Sequence, residues 1–188
     1  KYHITQMIGD RSTFRCILAS RGVKPLIVIG VNPSTANEDS PDPTIRKVMG
    51  FAERNGFDSF VMLNLYPQRA TNFRDVHHTR DEQLHQRNID EIRRFFKEVD
   101  KLDVLVASGN LVGDRPYLLQ CFKDIADVLQ EDGREISWWQ IGVLQNEAIR
   151  GIPCTLDVSG ASVSLTQLDL EEVNRGRILL IASSHDCG

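Results

Sequence analysis

No Cys-x-x-Cys pair occurs in the 188 residues; Cys16, Cys121, Cys154 and Cys187 stand far apart. That spacing argues against a zinc site built from local ligand pairs. The thiols are expected as reduced, mostly core residues of a cytoplasmic protein. No apolar run approaches the ~20 residues that span a bilayer, so no membrane partner is expected. The start, Lys1-Tyr2-His3-Ile4, lacks the charged-then-apolar pattern of a secretory signal and an initiator Met, so the chain is expected to be processed or trimmed. Basic residues are not in excess: 22 Lys and Arg against 26 Asp and Glu give a net charge of −4. Tight non-specific nucleic-acid binding needs basic surface, so only a local basic patch remains open. Internal repeats and low-complexity tracts are also missing. His77, His78 and His85 have no Cys or carboxylate set at ligand spacing, and neither a metal nor a cofactor is expected.

What is present is an ordinary globular composition, 41% apolar and 26% charged, enough for a single domain over residues 1–188 with a sizeable core. Four short, almost purely apolar runs read as strands covered on both faces: Lys24 to Gly30, Ser59 to Leu65, Asp103 to Ser108 and Ile136 to Gly142. Helical signals separate them. Asp42 is a good N-cap with Pro43 at the first helical position, Ile45, Val48, Met49 and Ala52 recur at helical spacing, and Asn55-Gly56 is a stop. Further helices are expected from about Asp81 to Val99 and about Arg115 to Leu129. The alternation predicts an α/β class protein, a three-layer α/β/α arrangement around a four-stranded, mainly parallel sheet with right-handed crossovers. Residues 1–23 are expected as an edge strand or hairpin, and the pattern blurs over 143–188. Adjacent Trp138 and Trp139 should face opposite sides of their strand.

Open parallel sheets bind ligands beyond the carboxyl ends of their strands. Four polar segments follow the four runs: Asn32-Pro33-Ser34-Thr35, then Asn64 with Tyr66 to Asn72, then Ser108-Gly109-Asn110, then Asn146 to Thr155. They are expected to gather on one rim. Asn32, in "GVNPS", has two readings. One is an Asx-turn before proline. The other is an amide held by rigid Pro33 to bind water or a polar ligand edge, with main-chain N–H groups from Ser34 onward facing an anion or carbonyl oxygen. Arg69 reads either as a solvated loop cation or as a phosphate or carboxylate clamp, Arg74 and Arg46 being weaker versions; Thr71 is a candidate for orienting that loop. Asp42 is explained by its capping role, and is also a carboxylate that could activate water near Asn32. Asn64 offers donor and acceptor together and could read a base edge.

The stretches "GVNPSTANEDSPDPTIRKVMGFAERNGF" and "VMLNLYPQRATN" resemble the bacterial family known as domain of unknown function 1643, whose hallmarks are Asn-Pro-Ser-Thr-Ala, Asp-Pro-Thr-Ile, Asn-Leu-Phe and Arg-Ala-Thr; the resemblance runs from about Val28 to Gly142. "GVNPS" also looks like the Gly-Ile-Asn-Pro-Gly motif of mismatch-specific uracil and thymine DNA glycosylases. That more distant resemblance implies a uracil-DNA-glycosylase-like fold and hydrolysis of a base–sugar bond. It makes Asn32 the residue that positions the attacking water, with fixed donors stabilising the departing base. The chain departs from both patterns late. "GIPCTL" (residues 151–156) carries Cys154-Thr155 where the family has Arg-His-Pro-Leu and the glycosylases a His-Pro-Ser or Asn-Pro-Ser element. Cys154 is a weak nucleophile candidate without a neighbouring base. The sequence therefore supports a glycosylase-like hydrolase acting on nucleic acid or a nucleotide. The alternatives are a non-catalytic nucleotide or nucleic-acid binding module, or a hydrolase of an unrelated metabolite. Either a monomer or a homodimer fits.

Overall fold

The computed structural model describes residues 2–108, 115–142, 150–159, 162–167 and 180–181. Strands β1 (Ile4–Gly9), β2 (Arg15–Ser20), β3 (Pro25–Gly30), β4 (Ser59–Asn64), β5 (Lys101–Val106), β6 (Glu135–Gly142), β7 (Arg150–Ser159), β8 (Ser162–Gln167) and β9 (Leu180–Ile181) build one mixed sheet. Its order is β1-β2-β4-β3-β5-β6-β7-β8, with β9 beside β6. Helices α1 (Pro43–Arg54), α2 (Glu82–Phe95) and α3 (Tyr117–Gln130) make the crossovers.

The centre follows from the apolar runs. β4, β3, β5 and β6 lie parallel in that order, and the α/β class stands. The sheet is wider than the four strands read from the sequence. β1 and β2 add antiparallel strands beside β4, and β7 and β8 add antiparallel strands beyond β6. Gly151 and Pro153 interrupt the β7 run, and such residues normally argue against a strand, so its signal is weak.

Two apolar layers cover the faces. Leu18, Leu26, Val28, Phe60, Met62 and Leu105 pack under Ile45, Val48, Phe51 and Ala52 of α1. Ile17, Ile27, Ile29, Val61, Leu63 and Val104 pack under Ile89 and Ile92 of α2 and Phe122, Ile125 and Leu129 of α3. Trp139 joins the first layer and Trp138 borders the second, as strand alternation requires. Cys16 and Cys121 are free, buried thiols of the second layer. Burial pushes them up to about 12 and about 11, which favours the neutral thiol over the nucleophilic thiolate.

The strand order sets where a ligand can sit. The chain steps from β3 through α1 to β4 on one side, then passes back through α2 to β5 on the other side of β3. The connections from β3 and β5 therefore run to opposite sides, and the boundary between these two strands is the switch point at which open α/β sheets bind ligands. The Asn32 loop leaves β3 there.

Candidate functional site

The β3 and β4 ladder continues past both strands. Leu65 N donates to Gly30 O at 2.9 Å and Tyr66 N to Val31 O at 3.0 Å. The loops that follow thus emerge side by side and are stitched together. Asn32 Nδ2 donates to Ala70 O at 2.8 Å and, more weakly, to Pro33 O at 3.2 Å. Ala70 N returns a bond to Pro33 O at 2.9 Å. The Asn32 amide is held by its nitrogen, and its Oδ1 has no partner among the described residues. Pro33 is buried, Ser34 half-buried, and Thr35 and Thr71 exposed.

A third segment joins from the β1–β2 turn. Arg15 N donates to Pro67 O and Arg69 N to Thr13 O, both at 2.8 Å. The Arg69 side chain then ties the three segments. Nε donates to Asp10 O at 2.8 Å, and Nη1 to Ser34 O at 2.7 Å and Ala36 O at 3.0 Å. Nη2 faces the Met7 sulfur at 3.4 Å. Most of the fork thus serves main-chain carbonyls, and burial lowers its pKa against the opposing pull of Asp10 and Asp42. Arg69 stands at the rim where the sequence put it, as a loop organiser more than a free anion clamp. Arg46 and Arg74 are exposed.

Asp42 caps α1: its Oδ1 accepts from Ile45 N at 2.9 Å and its Oδ2, at a long 3.4 Å, from Ala36 N. It is buried, 8% exposed, and both oxygens face main-chain amides. Asn64, at the end of β4, is fully buried. It lies across from Gly30 on the α1 face; a Cβ on Gly30 would come 3.5 Å from Asn64 Oδ1 and 2.5 Å from Met62 Cε. Neither Oδ1 nor Nδ2 of Asn64 has a hydrogen-bond partner among the described residues. Buried polar groups are nearly always paired, so this amide calls for a partner that those residues do not supply.

Arg15 was not among the residues singled out from the sequence. It is 2% exposed, and its Nη1 donates at 2.9 Å to Ala36 O, the same carbonyl that Arg69 holds. Its Nε has no partner among the described residues. Burial, then the neighbouring Arg69 charge, push it down to about 10, against the opposing influence of Asp42. One signal was available: a cation opening the otherwise apolar run "RCILAS".

The long loop after β4 is anchored separately. Tyr66 Oη lies 2.8 Å from His77 Nδ1 and accepts from Asp81 N at 3.0 Å. Buried Arg115 donates to Val76 O and His77 O, and Tyr117 Oη to His77 O at 2.7 Å. His85 is buried, with Nε2 2.8 Å from Asp124 Oδ2. Among the described residues no group of three His, Cys, Asp or Glu could hold a metal ion. No described helix is long and apolar enough to cross a membrane.

The structure thus brings Asn32, Pro33, Ser34, Asp42, Asn64 and Arg69 to one end of the sheet, with Thr35 and Thr71 on its outer side. Asn110 and the segment from Asn146 to Ile149 lie outside the described residues. Cys154 and Thr155 fall in β7, where Cys154 pairs in register with Trp138 and only the backbone is described.

No curated protein and no solved structure matches the chain. A family model matches residues 15–150, more than half of the sequence, and the chain belongs to the family described as protein of unknown function (DUF1643).

Proposed function

We propose that the chain hydrolyses an N-glycosidic, base–sugar bond, with the glycosylase resemblance of the Asn-Pro loop as the guide to chemistry. One observation carries the reading: the Asn32 amide is clamped by Nδ2 and leaves Oδ1 without a partner among the described residues. That is what positioning a water requires: a fixed acceptor, oriented by bonds its own nitrogen makes. An amide is too weak a base to take the proton early. The rate must then come from placement and from donors fixed around the departing base. Asn64 supports the same reading, since its unpaired donor and acceptor suit the polar edge of a base.

Asp42 is left out of the chemistry. Both of its oxygens face main-chain N–H groups, which suits a cap and holds the Asn32 loop against α1. That observation favours the second reading, a module that binds the ligand without cleaving it.

Base release by the purified protein separates the two. Duplexes carrying uracil, mismatched thymine and modified bases are scored for abasic sites, and nucleosides and nucleotides for the free base. Asn32→Ala should fold, at a cost of about 1–2 kcal/mol for its strong hydrogen bond to Ala70 O and its weaker one to Pro33 O. It should lower turnover at least ~100-fold. Base release that survives Asn32→Ala within a few-fold refutes the assignment. Silence across the whole panel with retained ligand binding favours the second reading.

A further inference from the structure

The polar cluster beneath the Asn32 loop holds two guanidiniums, and neither nearby carboxylate, Asp10 or Asp42, forms an ion pair with them among the described residues. Arg15 and Arg69 share the Ala36 carbonyl, so the loop draws them together. Asp42 is the carboxylate on the buried side, and it is turned toward the amides of Ile45 and Ala36 rather than toward Arg15. Asp10 lies on the solvent side, its carboxylate already accepting from the Ser12 and Thr13 amides and the Thr13 hydroxyl. No carboxylate pairs with Arg15 among the described residues, although it is 2% exposed. A buried guanidinium with no direct ion pair is costly, and here the attraction of Asp42 is opposed by the neighbouring charge of Arg69. Arg15 Nε, Asn64 Oδ1 and Asn64 Nδ2 are all buried without partners among the described residues. They belong to neighbouring strands, β2 and β4, at the same end of the sheet.

We propose that Arg15 receives a phosphate group of the ligand and that the substrate is a free nucleotide rather than a base within a duplex. The inference rests on the base–sugar reading for its nucleoside part; the anion site itself does not. The chemistry needed is a planar polar group for Asn64 and an anion for Arg15, and a nucleoside monophosphate carries both. Burial decides against the duplex. A guanidinium that solvent scarcely touches cannot track a continuous sugar-phosphate backbone, whereas a terminal phosphate can be enclosed. The loop over the site also opposes a polyanion: Glu38 and Asp39 are exposed there, with only Arg11 against them among the described residues, Nη2 to Asp39 Oδ2 at 2.6 Å. The arginines alone could be read as loop staples, but a staple needs no anion and does not distinguish a nucleotide from its nucleoside.

The test is calorimetric titration and thermal shift of the full chain with the four ribonucleoside 5′-monophosphates, the matching nucleosides, inorganic phosphate and a short duplex. At least one monophosphate should bind about tenfold or more tighter than its nucleoside, as one charge-assisted bidentate contact implies. Inorganic phosphate should compete. Arg15→Gln should erase the difference between nucleotide and nucleoside, and Arg15→Lys should restore part of it. Equal binding of nucleotide and nucleoside, or a preference for duplex, overturns the inference. So does an unchanged preference in Arg15→Gln. If Arg15→Gln fails to fold, the wild-type comparison and Arg15→Lys decide alone. The two readings fail separately. Arg15-dependent phosphate binding without base release leaves the anion site standing and removes the hydrolase. Base release from a duplex with no phosphate effect does the reverse.

Discussion

Replacing Arg69 separates its two roles most directly. If its guanidinium organises loops, the loss appears in stability; if it waits for a ligand, the loss appears in binding. Arg69→Met keeps the apolar stem and removes the fork. Three donated bonds disappear, to Asp10 O, Ser34 O and Ala36 O. A hydrogen bond from a charged donor contributes about 1.5–3 kcal/mol net. The sum is reduced because Arg69 is only half-buried, because bonds from one head group are not additive, and because water can reach part of the site. About 3–4 kcal/mol remains, which for a chain of this size corresponds to a fall in Tm on the order of 10 °C. Arg69→Lys, with a point charge in place of the fork, should lose about half as much. Urea unfolding followed by circular dichroism measures both. A loss under about 1 kcal/mol in Arg69→Met, with ligand binding reduced, would refute the loop-organiser argument and return Arg69 to the role of anion clamp.

Three other perturbations test neighbouring parts. Asp42→Ala removes the α1 cap bond to Ile45 N and should cost about 1–2 kcal/mol in urea unfolding, while Asp42→Asn, which keeps an acceptor, should cost less. Asp58 accepts from Ser59 Oγ and the Val23 and Lys24 amides, which lowers its pKa; its stabilisation is therefore complete above the unfolded value near ~4 and is lost as pH falls through the folded one, so Asp58→Ala should flatten the acid limb of a stability–pH profile below about pH 4. Asn64→Leu removes two unpaired buried atoms and should raise stability by about 1 kcal/mol in unliganded protein while abolishing ligand binding; a destabilised variant would mean that the amide is satisfied without ligand.

The centre of the fold was legible because burial on both faces leaves an unmistakable mark. A run such as "PLIVIG" has no polar residue to point outward, and it lies in the middle of the sheet. The first helix was legible to the residue, since a capping Asp42, Pro43 at the first helical position and the Asn55-Gly56 stop mark both of its ends. What the sequence hid was nonlocal. β7 pairs with β6 through main-chain bonds that impose little demand on side-chain type, so Gly151 and Pro153 concealed it. In the site, the roles of polar residues depended on partners far away in the chain. Asn32 finds Ala70 and Arg69 finds Asp10, neither of which any local pattern announces. Asn64 is a candidate for reading a base edge by its donor and acceptor; the structure shows it buried at the end of β4 without a partner among the described residues. Arg15 was passed over because charge is expected on a surface, and a strand's first residue is the position where that expectation is strongest.

The distribution of unmet polar atoms links these points. Two further buried atoms, His85 Nδ1 and Asn88 Oδ1 of α2, are also unpaired among the described residues, but three of the five belong to Arg15 and Asn64, beside the three converging segments whose main chains are bonded to one another. Arg69, Asn32 and Asp42 all make bonds that hold backbone in place. The unpaired atoms of Arg15 and Asn64 are therefore not signs of a loosely built region; they lie beside loops that Asn32, Arg69 and Asp42 tie together. A loose region could relax to pair or solvate them, and this one is held by its loops. Unpaired groups on a rigid frame are what the proposed binding would use, because their cost in the unliganded protein would be recovered when a ligand of the right polarity arrives. By the same argument, stability and binding should move in opposite directions at Asn64 and together at Arg69. That difference in sign does not depend on knowing the ligand's identity.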